Sequence, residues 1–323
     1  MKQILIIKTG ALGDVVRTSF FAKYLNEQYD FKVHWLASEA SKDIVLNNPF
    51  IQKVYVNSKE IPNINWDIVF SLEDEIEFIT LATKIDKKKL VGLFLENDKV
   101  RYDELTSHWN NMGIHSKFGL EKANELKYKN KLSHLEIYSQ IFQVKDAKPN
   151  WKGKIPKYID SKTTDKKISL GINPFAGIRW PGKEISIKEI NVLLSKIQES
   201  HQFKKIYLFG EHSKWLEVGF QKFSKSNYLN TENDINLFAK ELKKIQILIT
   251  SDSLAVHMAC ALGIPFICFF GPTSASEVNE PNLPHINIIS DRPGYCSYSP
   301  KAKNDGLHAK KIFSCLKQLV LSN

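Results

Sequence analysis

The chain is poor in cysteine and arginine, and it has no long apolar run. Its four cysteines, Cys260, Cys268, Cys296 and Cys315, have no CxxC spacing, so neither structural zinc nor a disulfide framework is expected. A membrane-crossing helix needs roughly 20 consecutive apolar residues, and no such stretch is present. The amino terminus passes from Met1-Lys2-Gln3 straight into Ile4 to Ile7. That apolar stretch is too short for a signal peptide and lacks a small-residue cleavage site, so the expected location is the cytoplasm. The only arginines are Arg17, Arg101, Arg179 and Arg292, so lysine carries nearly all of the net charge of +10. Proteins that read bases present arginines and aromatic platforms, and no recognition-helix or zinc-finger pattern is visible. Nucleic acid is therefore not an expected partner.

At 323 residues, 43% hydrophobic and 25% charged, the sequence suits a globular protein of about two domains. The lysine excess fits a solvated surface. Its functional alternative is an anionic partner, either a phosphorylated glycan or the head-group layer of a membrane at its inner face. Apolar runs alternate with helical patterns. In the first half they are Gln3 to Lys8, a helix from Val15 to about Tyr29, Phe31 to Ala37, Lys53 to Val56, Asp67 to Leu72 and Leu90 to Leu93. This alternation predicts an α/β fold with a parallel, helix-covered sheet. Periodicity fades between Lys145 and Lys167, where Pro149, Gly153 and Pro156 act as breakers. Two domains, 1–155 and 156–323, follow from that junction. The second restarts at Lys167 to Ile172, with helices near Ile187 to Ser200 and Asp234 to Lys244 and a strand at Lys205 to Phe209. A terminal helical stripe from Gly306 to Leu321 would pack against a domain, with the first domain as one candidate platform.

Four polar loops follow predicted strands. The first, Lys8 to Thr18, holds Gly10, Gly13 and Asp14. The glycines let the backbone turn tightly and approach a ligand. Asp14 is either a helix N-cap or a base that takes a proton from an attacking hydroxyl, and one carboxylate could do both. The second loop, Gly171 to Glu184, carries Asn173 and Lys183; it reads as a solvent-exposed turn or as a phosphate cradle with Lys183 as its cation. In the third, Gly210 and Glu211 end a strand, where Glu211 is a surface carboxylate or a partner for a ribose hydroxyl. The fourth unit runs from Ser251 to Thr273. Asp252 and Ser253 stand at a helix start, His257 lies one turn on, and Gly271-Pro272-Thr273 follows the next strand. The unit could be a capped helix and a tight turn, or one wall of a small-molecule site.

Taken in order, Gly13-Asp14-Val15, Asn173-Pro174 with Ala176-Gly177 and Trp180-Pro181-Gly182-Lys183, Asp252-Ser253 with His257, and Gly271-Pro272-Thr273 resemble the ADP-heptose:lipopolysaccharide heptosyltransferases of glycosyltransferase family 9. The resemblance spans nearly the whole chain. It implies two facing Rossmann-like domains of the GT-B architecture, with the acceptor on the amino-terminal side and the donor on the carboxyl-terminal side. Asp14 would be the general base of an inverting transfer, supported by Gly10 and Gly13. Lys183 would neutralise the donor diphosphate with Ser253 and Thr273. Asn173, Gly210, Glu211, Asp252, His257, Gly271 and Pro272 would line the donor sugar and nucleotide. The donor implied is an ADP-sugar, the acceptor is a lipopolysaccharide-core or related surface glycan, and neither cofactor nor metal is expected. The chain departs from the family in three places: Leu254-Ala255 stands where Gly-Pro is common; the segment from Asn173 to Lys183 is about two residues longer than the common form by alignment, which makes Arg179 a rival cation; and the region after Tyr295-Cys296-Ser297 differs from the cysteine-bearing ending of many relatives, so no role is carried over there.

The alternatives are a nucleotide-sugar epimerase of similar architecture and a non-catalytic sugar-nucleotide binding protein. An epimerase would need further acid/base groups around the donor sugar. Glu73-Asp74-Glu75 reads as a solvated acidic turn and Lys99 to Lys131 as helical surface.

Overall fold

The computed structural model describes residues 2–46, 48–149, 168–177, 180–200, 202–280, 282–291, 294–299, 301–302 and 306–322. The chain divides into two compact units, Met1–Lys154 and Ile155–Asn323.

In the first unit, β1 (Lys2–Ile7) leads to α1 (Leu12–Ser19) and α2 (Phe21–Tyr29), then β2 (Phe31–Leu36), α3 (Lys42–Val45) and β3 (Ile51–Tyr55). There follow β4 (Ile68–Ser71), α4 (Ile76–Lys84), β5 (Leu90–Glu96), β6 (Lys99–Tyr102), α5 (Ser107–Asn110), α6 (Leu120–Lys129) and α7 (His134–Ile141). The sheet order is β3-β2-β1-β4-β5-β6. All pairs are parallel except β5 with β6. Ile4 to Ile7 are fully buried. This is the pattern of a parallel strand covered by helices on both faces, where alternation gives way to a continuous apolar run.

In the second unit, β7 (Ile168–Asn173), α8 (Ile187–Glu199), β8 (Phe203–Leu208), α9 (His212–Val218) and β9 (Ser226–Tyr228) precede α10 (Ile235–Leu242) and β10 (Ile247–Ser251). Then come α11 (Leu254–Leu262), β11 (Phe266–Phe270), β12 (His285–Ile289) and α12 (Ala309–Ser322). The sheet, ordered β12-β11-β10-β7-β8-β9, is parallel throughout. Every residue of β10 and β11 is buried, which makes them the centre of the core. The terminal helix α12 joins this core: Ile312, Leu316 and Leu319 are buried in one cluster with Leu193, Leu194 and Ile197 of α8.

Three local expectations need correction. The single helix expected over Val15 to Tyr29 is two helices, α1 and α2, meeting at Phe20. The Ser19 carbonyl accepts from Asn48 Nδ2 at 3.0 Å instead of continuing the helical ladder. The segment read as helical surface from Lys99 begins as β6, an antiparallel edge strand whose short, charged sequence hides its pairing with β5. Glu73 is buried rather than solvated, for reasons that bear on the site.

Candidate functional site

In each unit the order of the strands reverses at one place, and in open parallel sheets that place, at the carboxyl ends of the strands, is where the departing loops meet a ligand. In the second unit that place is between β7 and β10, where Asn173 pairs in register with Thr250. The two strands diverge beyond it, β7 leading toward Pro174 and on to Lys183 and β10 into Asp252-Ser253. Most of the residues singled out from sequence lie here.

Asn173 Nδ2 donates to Ser253 Oγ at 3.4 Å, linking the two loops. The Ser251 hydroxyl donates to the Phe175 carbonyl at 2.7 Å and fixes the start of the first loop. Lys183 closes a short 3-10 turn, Pro181–Lys183, and its ammonium lies 2.8 Å from Asp252 Oδ2. His257 Nε2 stands 4.0 Å from the other oxygen, Oδ1. Burial alone would push the Asp252 carboxyl up, but the Lys183 and His257 charges outweigh it and hold the group down at about 2. The Lys183 ammonium also lies over the Trp180 ring, 5.6 Å from its centroid. Ser253 is the N-cap of α11 but its side chain makes no capping hydrogen bond, so its hydroxyl does not occupy the positive end of that helix. Leu254-Ala255 simply opens the helix, with Ala255 fully buried.

Gly271-Pro272-Thr273 is buried after β11 and abuts the Lys183 turn. A β-carbon on Gly271 would overlap the Gly182 carbonyl oxygen, so the two loops touch backbone to backbone. Gly210, with φ of 101°, turns left-handed beside Asn173, and a β-carbon there would stand 2.7 Å from Asn173 Oδ1. That amide oxygen is buried with no hydrogen-bond partner among the described residues. Glu211 is the N-cap residue of α9 without a capping bond, and it accepts from Ser213 Oγ at 2.6 Å on the exposed side. The structure thus brings together Asn173, Lys183, Gly210, Asp252, Ser253, His257, Gly271, Pro272 and Thr273, and leaves the Glu211 carboxylate at the rim. Arg179, the rival cation, lies outside the described residues.

Other residues of this unit were not anticipated. Tyr298 fastens the Gly-Pro-Thr loop: its backbone N–H donates to the Pro272 carbonyl at 2.8 Å, and its hydroxyl accepts from Ser274 N at 3.2 Å. Tyr295 accepts from Ala275 N at 3.0 Å. Glu184 accepts from Ala176 N at 2.9 Å and pairs with Lys214 at 2.7 Å, closing the loop on which Lys183 sits. Nothing in the local sequence pattern marks Tyr295 or Tyr298 for this role, because the contacts join segments 20 or more residues apart.

In the first unit the corresponding place is between β1 and β4. Gly13 and Asp14 are not in a loop but in the first turn of α1. Ala11 is the N-cap and makes no side-chain bond, which rules out the capping reading of Asp14. The Asp14 carboxylate instead meets the Arg17 guanidinium at 2.7 Å. Among the described residues no atom lies within 4 Å of where a Gly10 β-carbon would stand, and none of them makes a steric demand for glycine there. What shapes this loop is Glu73, which follows β4. Its Oε1 accepts from the backbone N–H groups of Thr9 and Gly10 and lies 3.2 Å from the Lys8 ammonium, all nearly out of solvent. Burial raises the Glu73 carboxyl, while Lys8 and the two N–H donors pull it down, with a net shift upward. The Thr9 carbonyl is held from its other side by the hydroxyls of Ser38 and Ser41, at 2.7 and 2.8 Å.

Among the described residues no group of three or more His, Cys, Asp or Glu gathers where it could hold a metal ion, and no helix is long and apolar enough to cross a membrane. Cys260, Cys268, Cys296 and Cys315 form no disulfide among the described residues.

No family model matches the sequence, and no curated protein does. Solved structures do match the fold. A glycosyl transferase family 9 protein from Veillonella parvula superposes with a TM-score of 0.66 at 16% identity, covering 100% of this chain and 98% of that one. Escherichia coli ADP-heptose lps heptosyltransferase II gives 0.65 at 14% identity, over 100% and 99%. Escherichia coli heptosyltransferase WaaC, solved with ADP-2-deoxy-2-fluoro heptose, gives 0.64 at 14% identity, over 98% and 99%. The chain has the two-unit GT-B fold of these proteins.

Proposed function

We propose that the protein is an inverting glycosyltransferase of family 9 that transfers a sugar, heptose from ADP-heptose in the first instance, to a bacterial lipopolysaccharide-core or related surface-glycan acceptor. The observation that carries this reading is the constellation at the β7/β10 reversal. It combines a half-buried ammonium, a hydroxyl and a helix start whose N-cap side chain makes no capping bond, which suit a diphosphate, with buried carboxylate and amide oxygens, which suit sugar hydroxyls. Proteins sharing the fold and solved with an ADP-sugar support the same donor class.

In the proposed reaction the acceptor hydroxyl attacks the anomeric carbon, the bond to the diphosphate breaks, and the configuration inverts. Asp14 accepts the hydroxyl proton as general base. Lys183, with the N–H groups at the start of α11, stabilises the charge that grows on the departing nucleoside diphosphate. Asp252, Asn173 and Ser253 hold the donor sugar and phosphates. Thr273, Gly271 and Pro272 support that wall, with Gly210 and Glu211 toward the nucleotide. The lysine-rich surface suits an anionic glycolipid acceptor at the inner face of the cytoplasmic membrane.

A panel of nucleotide sugars scored by protection from thermal unfolding tests the donor class. ADP-heptose is expected to protect, while UDP- and GDP-sugars do not; the reverse pattern would refute the heptose assignment. Acceptor-dependent release of ADP separates transfer from epimerisation. Asp14→Asn should abolish that release without weakening donor binding.

A further inference from the structure

Asp14 is the third residue of α1 and Arg17 lies one turn further on. Pairs at this spacing on an open helix face contribute little and readily let go. This one is confined. Arg17 is only 12% exposed and Asp14 34%, with Arg17 Nη2 at 2.7 Å from Asp14 Oδ1. The guanidinium carbon lies 5.7 Å from the ring centroid of Trp109 on α5. Trp109 is held edge-on by two rings of α7, His134 at 5.6 Å and Tyr138 at 5.5 Å. Those rings stack on each other at 3.8 Å. The helix that presents them starts at a capping box, Ser133 with Glu136.

Residue choice points the same way. Of 45 basic residues only four are arginine, and one of the four stands here. A guanidinium can stack flat on an aromatic face and still grip a carboxylate with its edge, which an ammonium cannot do.

We infer that Arg17, backed by Trp109, is the positioning residue of the Asp14 carboxylate: it fixes the direction of that carboxylate and keeps it ionised for proton acceptance. This rests on the proposed role of Asp14 as base. Other charged groups reach Asp14 from neighbouring elements. Asp74, after β4, opposes ionisation of Asp14, and Tyr138 on α7 lies within electrostatic reach of both Asp14 and Arg17. Lys8 at the end of β1 is tied to Glu73, and His115 donates to the Asp74 carbonyl at 2.7 Å. Among the described residues, the Arg17 guanidinium meets the Asp14 carboxylate directly, at 2.7 Å.

The test uses the full chain, with Arg17→Gln, Arg17→Lys and Trp109→Leu compared with the parent. Two readouts are taken: the Asp14 titration by carboxyl carbon NMR, and the pH profile of transfer from ADP-heptose to a heptose-free lipopolysaccharide-core acceptor. Removing an adjacent guanidinium raises a carboxyl pKa, so in Arg17→Gln both the NMR titration and the acidic limb of kcat/KM should move up by about one pH unit. At the plateau kcat should fall about tenfold with the KM for ADP-heptose unchanged. Arg17→Lys should restore the limb but only part of kcat, because it returns charge without the planar grip. Trp109→Leu should lower kcat with a smaller movement of the limb. A folded Arg17→Gln that loses rate through KM, with the limb and the NMR titration unmoved, would overturn the positioning role, as would an Arg17→Lys that keeps the full parent kcat. Asp14→Asn distinguishes the two levels: loss of transfer there with an unmoved limb in Arg17→Gln defeats the positioning role alone, whereas full transfer by Asp14→Asn defeats the base assignment beneath it.

Discussion

The Lys183 ammonium and the Asp252 carboxylate stand 2.8 Å apart, 15% and 10% exposed, and join the loop after β7 to the loop after β10. The residue proposed to neutralise the donor diphosphate is thus already neutralised by the residue proposed to hold the donor sugar. A diphosphate that takes the ammonium strips Asp252 of its nearest cation. A buried carboxylate left that way is costly unless new donors reach it, and sugar hydroxyls are such donors. The pair therefore links recognition of the two halves of the donor.

Calorimetric titration with ADP and with ADP-heptose can read that linkage. Lys183→Ala should weaken ADP about a hundredfold, the loss of a charge-assisted contact of about 3 kcal/mol. Asp252→Asn should bind ADP about tenfold more tightly, because the ammonium no longer has to leave a carboxylate. The same variant should lose most of the extra affinity that the sugar confers. Equal losses for ADP and ADP-heptose in Asp252→Asn would place the sugar elsewhere.

The depressed Asp252 carboxyl makes a pH-dependent contribution to stability. Its folded-state value of about 2 lies below the ordinary 3.8. The contribution is therefore present above about pH 4 and is lost as pH falls through about 2, on the order of 2 kcal/mol. Asparagine has no such titration. Chemical denaturation from pH 5 to pH 2 should show the stability gap between parent and Asp252→Asn closing by that amount, against a common background from the other carboxylates. A gap that stays constant would mean Asp252 titrates normally.

Much of this arrangement was legible in the sequence because strand ends announce themselves: an apolar run followed by Asn173, Asp252-Ser253 or Gly271-Pro272-Thr273 needs only the rule that parallel strands deliver ligands to their carboxyl ends. What was not legible depended on contacts distant in sequence. Glu73 looks like one member of a charged triplet, and only the pairing of β1 with β4 carries it beneath Thr9 and Gly10. Asp14 resembles a cap, but the helix begins two residues earlier and turns it toward Arg17. Tyr298 supports the Gly-Pro-Thr loop from 25 residues away, a distance over which no periodicity operates.

Gly271 offers a steric test. The position of its missing β-carbon is taken by the Gly182 carbonyl oxygen, and backbone cannot rotate aside as a side chain would. Gly271→Ala should destabilise the protein by about 2 kcal/mol and weaken ADP binding, since the displaced turn carries Lys183. Gly177→Ala is the control: among the described residues nothing lies within 4 Å of its β-carbon position, so melting temperature and ADP affinity should match the parent.

The Lys8–Glu73 pair provides the matching test in the first unit. Lys8 is 8% exposed and Glu73 4%, so removing either partner leaves a charge with little access to water. Glu73→Ala also removes the acceptor for Thr9 and Gly10 N–H. A loss of about 3–5 kcal/mol is expected, measured by denaturant unfolding. Glu73→Gln keeps an oxygen for the two N–H groups but strands the ammonium, so it should fall between alanine and the parent. The double variant Lys8→Met with Glu73→Gln removes both charges and keeps that oxygen, and should recover most of the stability, because an isolated buried charge costs more than the pair contributes. Donor binding should be untouched in all three, since none of these groups belongs to the second unit. Transfer should fall in Glu73→Ala even where the protein remains folded, because the backbone that Glu73 grips leads directly into the turn of α1 that bears Asp14. A Glu73→Ala protein that is destabilised yet transfers at the parent rate would make Glu73 a residue of the fold alone.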